Sequence, residues 1–167
     1  MKKIWAPWRI EYIKQPNKDD ECFICKIIEE PSENDSKNLL LYRGKNVLVM
    51  LNLYPYITGH LLVAPYLHTS ELNEISDKVS TEMWKLTTKS VELLKKAISP
   101  QGFNIGINLG KVSGAGLLSH IHIHIVPRWS NDTNFMPILA NTRVISQALE
   151  ETFNELAQHK EMLIDEE

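Results

Sequence analysis

Apolar residues along this chain keep two different spacings, and the switches between them mark out its elements. Leu39 to Arg43 and Val47 to Leu51 read as strands around the turn-like Gly44-Lys45-Asn46, and Leu61 to Ala64 reads as a third, closed by Pro65. Ahead of them residues 23–30 fit a short helix and Pro31 to Ser36 a loop. With Ser80 as its cap, a long helix follows: Met83, Trp84, Leu86, Val91, Leu93, Leu94 and Ala97 hold a helical period until Pro100 and Gly102 end it. Phe103, Ile105 and Ile107 then alternate with Asn104, Gly106 and Asn108 as a strand. A last helix is predicted over residues 143–163, with Ile145, Leu149, Phe153 and Leu156 on one face. Strands dominate, with one central and one terminal helix, so the expected architecture is an α+β fold on an antiparallel β-sheet meander. Neither an internal repeat nor a linker interrupts the order, and residues 1–167 are read as a single domain.

The alternation is sharpest at His120-Ile121-His122-Ile123-His124-Ile125-Val126. As a strand paired with 103–107, this stretch sends Ile121, Ile123 and Ile125 to the core and the three imidazoles to the other face, spaced by roughly 6.5–7 Å. A row of three imidazoles is costly to keep for packing alone, because each needs a hydrogen-bond partner when buried. Imidazole is also the side chain best suited to act near neutral pH as base, nucleophile or metal ligand. From the residues alone, a catalytic row and a metal cluster both stay open, including three histidines around one catalytic ion.

Composition narrows the partners. A formal charge of −3 over 167 residues makes no electrostatic case for binding a nucleic-acid polymer, and no stretch approaches a membrane span. The first residues lack the apolar run of a signal peptide, so the cytoplasm is expected and the two cysteines, Cys22 and Cys25, are expected as reduced thiols. Their Cys-x-x-Cys spacing then points to metal or redox chemistry, and a redox role lacks the βαβ setting of thioredoxin-like motifs. Trp5, Pro7, Trp8 and Tyr12 have no clear period and suggest that residues 1–21 form an aromatic arm packed on something larger. Trp129 joins Trp5 and Trp8 as an aromatic more often buried against protein than stacked on a base, and His159 is expected in solvent.

The histidine stretch matches the His-φ-His-φ-His-φ-φ signature of the histidine-triad (HIT) superfamily, and the chain resembles that family over about residues 21–128. The resemblance takes in Asn52-Leu53-Tyr54-Pro55-Tyr56-Ile57-Thr58-Gly59-His60, Pro65-Tyr66-Leu67-His68, Cys22-Phe23-Ile24-Cys25 and Asn108. The flanking Trp5-Ala6-Pro7-Trp8-Arg9 and Pro127-Arg128-Trp129 are most similar to the bacterial diadenosine-tetraphosphate phosphorylase branch. What the resemblance implies is nucleotidyl transfer through a covalent nucleotidyl-histidine, with a mononucleotide or dinucleoside polyphosphate as ligand and no catalytic cofactor. The acceptor is inorganic phosphate in a phosphorylase or water in a hydrolase, and the triad does not decide between them. By position His122 is the nucleophile, and His124 and His60 match the flanking histidines. The chemistry agrees: neutral imidazole can attack phosphorus near pH 7 if one ring nitrogen keeps its lone pair while the other donates, here expected to a main-chain carbonyl.

Further matches follow residue by residue. Asn108 falls at a polar position that touches phosphate, and Asn52 at the position that reads the ribose hydroxyls. The small residues of Ser113-Gly114-Ala115-Gly116 suit a loop that lets backbone N–H groups approach an anion. Many members carry a glutamine four residues before the first histidine; here Gly116 stands there, which hands oxygen contacts to the backbone, Ser113 or Ser119. Some members complete a Cys-x-x-Cys pair with histidines at the positions of His68 and His120, so the resemblance implies a structural Cys22, Cys25, His68, His120 zinc site. Family members commonly dimerise by joining sheets and central helices, and a homodimer or larger homo-oligomer is expected. A nucleotide-binding module with vestigial catalysis is the rival from another class, and an intact His122 argues against it.

Overall fold

The computed structural model describes residues 22–130, 132 and 145–164. The expected aromatic arm, with Trp5 and Trp8, and the first two residues of the predicted last helix lie outside the described residues. The frame is a five-stranded antiparallel sheet of β1 (Leu40–Arg43), β2 (Val47–Leu51), β3 (Leu61–Pro65), β4 (Gly102–Ile107) and β5 (Ile123–Arg128). Three helices accompany it: α1 (Phe23–Glu29), α2 (Asp77–Ile98) and α3 (Leu149–Ala157). In space the strands run β1-β2-β3-β5-β4. The long α2 carries the chain across the sheet, so β4 lands at the edge and β5 returns between it and β3. Among the described residues no helix is long and apolar enough to cross a membrane.

β2 is apolar at every position because both faces of the sheet are covered. On one face Val47, Val49, Leu51, Leu61, Val63, Ile123 and Ile125 pack against Met83, Leu86, Leu93 and Leu94 of α2 and Phe153 and Leu156 of α3. On the other, Leu40, Leu48, Met50, Leu62 and Ala64 pack against Ile24 and Ile27 of α1. Leu62 stands opposite His124 in the β3–β5 register, so the histidine face is the α1 face. α1 is only 7 residues long and is held by a side chain from β1. The Arg43 guanidinium donates to the carbonyls of Ile27, Ile28 and Glu30 at 3.0–3.1 Å and pairs with Asp35 at 2.8 Å. These bonds satisfy carbonyls that a helix end leaves without partners.

Three boundaries differ from the sequence reading, each for a local reason. α2 begins one turn early: Ser76 caps it, its Oγ accepting from Val79 N, and Ser80 lies inside the helix with its N–H on the Ser76 carbonyl. The predicted 143–163 helix is α-helical only over Leu149–Ala157; after a break at Gln158 and His159 the chain resumes as a 3₁₀ turn, Lys160–Leu163, which buries Leu163. The histidine strand starts at Ile123 instead of His120, since the β3 ladder ends at the Val63–Ile123 pair. It runs on to Arg128 through Pro127, where only β4 is alongside and the missing N–H is tolerated. Trp84 also departs from expectation: it is 61 % exposed, and the buried stripe of α2 uses Thr87 and Ser90 instead.

His60 is delivered to the site by a turn that only glycine makes easily. Gly59 has φ +78, and a Cβ there would stand 2.5 Å from Ile98 Cδ1 and 3.3 Å from Pro127 Cγ. Gly59→Ala is expected to cost about 2–4 kcal/mol through the left-handed backbone and the crowding against α2. Urea denaturation of the two proteins measures this directly; a midpoint unchanged by the substitution contradicts it.

Candidate active site and metal centre

The three motif histidines and His60 are all buried, between 0 and 8 % exposed. Each must therefore find partners, and those partners assign the protons. His122 Nδ1 lies 2.8 Å from the His120 carbonyl oxygen. A carbonyl only accepts, so Nδ1 carries the proton and Nε2 keeps its lone pair. Burial lowers the basicity of His122, against the opposing pull of that same carbonyl, and the ring stays neutral at pH 7.

A second chain of bonds gives His124 the opposite tautomer. The Tyr56 backbone N–H donates to His60 Nδ1 at 3.1 Å, so neutral His60 carries its proton on Nε2. That proton faces His124 Nδ1 at 3.0 Å, which must accept it, leaving the His124 proton on Nε2. Asn108 Nδ2 lies 3.3 Å from this Nε2; a half-turn of the amide puts Oδ1 in its place, the acceptor that this proton requires. Burial, and then repulsion from His122, pull the His124 pKa down to about 4. The rings of His122 and His124 are 4.7 Å apart, edge to face. One presents a lone pair, the other an N–H.

The structure brings Asn108 and Asn52 to this group, Asn52 through His60. Asn52 Oδ1 accepts from Tyr54 N at 2.9 Å, forming a turn, and its Nδ2 lies 3.3 Å from His60 Nδ1. The small-residue loop is a 3₁₀ turn, Lys111–Ser113, bracketed by Gly110 at φ +75 and Gly114 at φ +86. Ser113 Oγ is spent on the Gly110 carbonyl at 2.7 Å, and its side chain is exposed. Ala115 and Ser119 are half-buried and Gly116 is exposed. His159 is half-exposed near the C-terminus and Trp129 half-buried, both outside the site. Two participants escaped the sequence reading: Tyr56, whose backbone N–H sets the His60 tautomer and whose ring lies 4.7 Å from His60, and Thr69, whose carbonyl accepts from Ile121 N at 2.6 Å. Both act through the main chain, which leaves no mark on residue identity.

The first histidine belongs to a different group. His120 Nδ1 lies 3.3 Å from Cys22 Sγ and 3.5 Å from Cys25 Sγ, and His68 Nδ1 lies 3.1 Å from Cys25 Sγ. All four ligand atoms fall within 4.8 Å of one another. Ligands about 2.0–2.3 Å from a tetrahedral ion stand roughly 3.3–3.8 Å apart, so two sulfurs and two nitrogens at these separations fit a divalent ion of the zinc type. The other nitrogen of His120 faces the Pro65 carbonyl at 2.8 Å, the outer contact that orients an imidazole ligand. The Cys25 thiol is pushed up to about 11, by burial first and then by Cys22, so it stays protonated at neutral pH until a cation draws the proton off.

Comparison with known proteins follows the same lines. The chain is 40 % identical over 162 residues to the AP-4-A phosphorylase of Mycobacterium tuberculosis, a match covering 94 % of this chain and 83 % of that one. It is 33 % identical to the adenylylsulfatase HINT3 of Arabidopsis thaliana, over 68 % of this chain and 55 % of the other. Among solved structures, a Zn-bound histidine triad family protein from Mycobacterium smegmatis superimposes with a TM-score of 0.66 at 25 % identity, covering 87 % of this chain and 96 % of that one. The HIT domain model matches residues 33–131, more than half of the sequence, and with the opposed tautomers of His122 and His124 already placed on an antiparallel sheet, the chain belongs to the HIT domain family.

Proposed function

We propose that this protein is a nucleotidyl transferase that cleaves diadenosine tetraphosphate and passes the nucleotide to inorganic phosphate, giving ADP and ATP. The observation that carries the reading is the bond from His122 Nδ1–H to the His120 carbonyl, which leaves Nε2 as an available nucleophile. The 40 % identical mycobacterial AP-4-A phosphorylase supplies the substrate and the acceptor.

In the first step the Nε2 lone pair of His122 attacks the α-phosphorus, forming a P–N bond as the bond to the bridging oxygen breaks. ATP leaves with the shared electron pair. His122 keeps its Nδ1 proton throughout, and the His120 carbonyl offsets the positive charge that develops on the ring. The Nε2–H of His124, which faces the Asn108 side-chain amide, donates to a phosphate oxygen where negative charge accumulates. Backbone N–H groups of residues 113–116 and the side chains of Asn108 and Ser119 are assigned to the remaining phosphate oxygens, and Asn52 to the ribose. In the second step a phosphate oxygen attacks the same phosphorus and the P–N bond breaks, releasing ADP and restoring the lone pair.

Cys22, Cys25, His68 and His120 are assigned to a structural zinc ion, which when bound ties α1 and the segment after β3 to the first motif histidine. The cytoplasm, where thiols stay reduced, suits this donor set. A second copy of the chain is assigned to the outer edge of β4, which pairs with no further strand among the described residues. Beside that edge lies an apolar groove of about 660 Å³, lined by Leu72, Ile75, Met83, Trp84, Ile105 and Ile121, and a two-fold pairing of β4 strands brings two such grooves together.

Product analysis tests the activity: diadenosine tetraphosphate with phosphate is expected to yield ADP and ATP, and AMP in its place means that water is the acceptor. His122→Asn is expected to abolish turnover while nucleotide affinity stays within about tenfold, roughly 1.4 kcal/mol; surviving turnover rejects the nucleophile. The low pKa of His124 has two pH consequences. Turnover is expected to hold from about pH 8 to about pH 6 and to fall only further to the acid side, where protonation breaks the relay. Stability follows the same group: unfolded, it binds its proton near 6.5, folded only near about 4, so its contribution is complete above the unfolded value and is lost as pH falls through that window. The slope approaches about 1.4 kcal/mol per pH unit, and urea midpoints read between those pH values measure it. For assembly, Ile105→Lys is expected to turn a sedimenting dimer into a monomer; an unchanged sedimentation coefficient places the interface elsewhere.

A further inference from the structure

We infer that His120 is a positioning residue, linking the Cys22, Cys25, His68 cluster to the nucleophile so that cation binding there sets the turnover rate. The inference rests on the reading of His122 as nucleophile.

One peptide group joins the cluster to the nucleophile. The carbonyl that fixes the His122 tautomer belongs to His120, and the N–H of the same planar group belongs to Ile121. No ladder holds this peptide, because β5 begins at Ile123 and its pairing with β3 ends there. What holds it comes from the cluster on two sides. On one, the His120 ring is set between the two cysteine sulfurs at 3.3 and 3.5 Å and the Pro65 carbonyl at 2.8 Å. On the other, Ile121 N–H donates to the Thr69 carbonyl at 2.6 Å, and Thr69 follows His68, whose Nδ1 lies 3.1 Å from Cys25 Sγ. A peptide group is planar with its N–H and C=O opposed, so seating the N–H on Thr69 aims the carbonyl the other way, onto His122 Nδ1. Both anchors of that plane run through side chains that would ligate one ion.

Release of His68 and His120 frees the plane to rotate. Once the carbonyl turns away, nothing keeps the proton on Nδ1, and any population with the proton on Nε2 has lost its attacking lone pair. Substrate contacts made by His124 and Asn108 lie on the other branch of hydrogen bonds and are untouched. The loss therefore falls on kcat and spares KM.

The test uses full-length protein labelled with ¹⁵N in its histidine rings, stripped with a chelator and then titrated with zinc, alongside His68→Ala and His68→Cys. Stripping, or His68→Ala, is expected to lower kcat about tenfold or more with KM within about threefold, the size typical of losing an outer contact of a site. The His122 ring nitrogens are expected to change from a single Nδ1–H form to a mixture. Zinc should restore both rate and tautomer in the wild type and in His68→Cys, which keeps a fourth ligand. A stripped, folded chain whose His122 stays in the Nδ1–H form at full kcat overturns the inference. Global unfolding on stripping, read by circular dichroism, overturns it too, because the cluster then serves the whole fold and not this peptide. Surviving turnover in His122→Asn is a different failure, that of the nucleophile itself.

Discussion

Much of this molecule turns on a single hydrogen bond, from His122 Nδ1 to the carbonyl two residues earlier. Burial alone would make His122 a poor base with an undefined tautomer, and a neutral imidazole presents a nucleophilic nitrogen at either position. The 2.8 Å contact removes the ambiguity by giving Nδ1 an acceptor that can never donate. Burial then has a constructive effect. It lowers the tendency of the ring to take a second proton, which keeps the lone pair on Nε2 available at the pH where a phosphoanhydride must be attacked.

The neighbouring histidine is governed by the same rule applied from the other end. A main-chain N–H at Tyr56 can only donate, so His60 accepts at Nδ1 and passes its proton state to His124. Two chemically identical side chains, two positions apart, thus reach opposite tautomers because one is tied to a carbonyl and the other, through His60, to an amide. Among the described residues, lone pair and donor stand side by side with no charged side chain bonded to either ring. A buried ion pair would carry a desolvation cost, whereas neutral rings satisfied by backbone avoid it. The net charge of the chain is small and negative, and on the proposed function substrate phosphate would be met by oriented N–H groups.

How much of this was legible beforehand depends on whether the cause lies in side chains or in backbone. The helices α2 and α3 and all five strands follow from apolar spacing, because burial on a two-sided sheet demands it. The carbonyl partner of His122 also follows from chemistry, since an attacking lone pair at one nitrogen requires a donor at the other. The start of α2 at Ser76 was hidden: Ser76 and Ser80 are equivalent as residue types, and only the register of the first turn separates them. The exposure of Trp84 was hidden as well, because a helical period cannot tell a core stripe from an apolar face that lies beside an open strand edge. Tyr56 and Thr69 act through their peptide groups, and any residue supplies one.

The motif itself divides where its repetition suggests unity. Three imidazoles in alternation invite the picture of a single centre, even of one ion held by all three. The directions of the ring nitrogens forbid it. His120 turns Nδ1 toward the cysteines and Nε2 toward the Pro65 carbonyl, so neither nitrogen is left for a site shared with its neighbours. His122 commits Nδ1 to the backbone and His124 commits Nδ1 to His60, so each has only its Nε2 left to offer a common substrate. On the proposed function the row would serve two ligand classes: a soft cation at its first member and a phosphate chain at its second and third. What joins the two is the peptide between His120 and Ile121, whose N–H is seated on Thr69, next to His68, and whose C=O sets the proton on His122. A substitution at the first histidine would act in both places at once, through the ring on the cluster and through the carbonyl on His122, and the alternating pattern is the shortest sequence that allows one residue to do both.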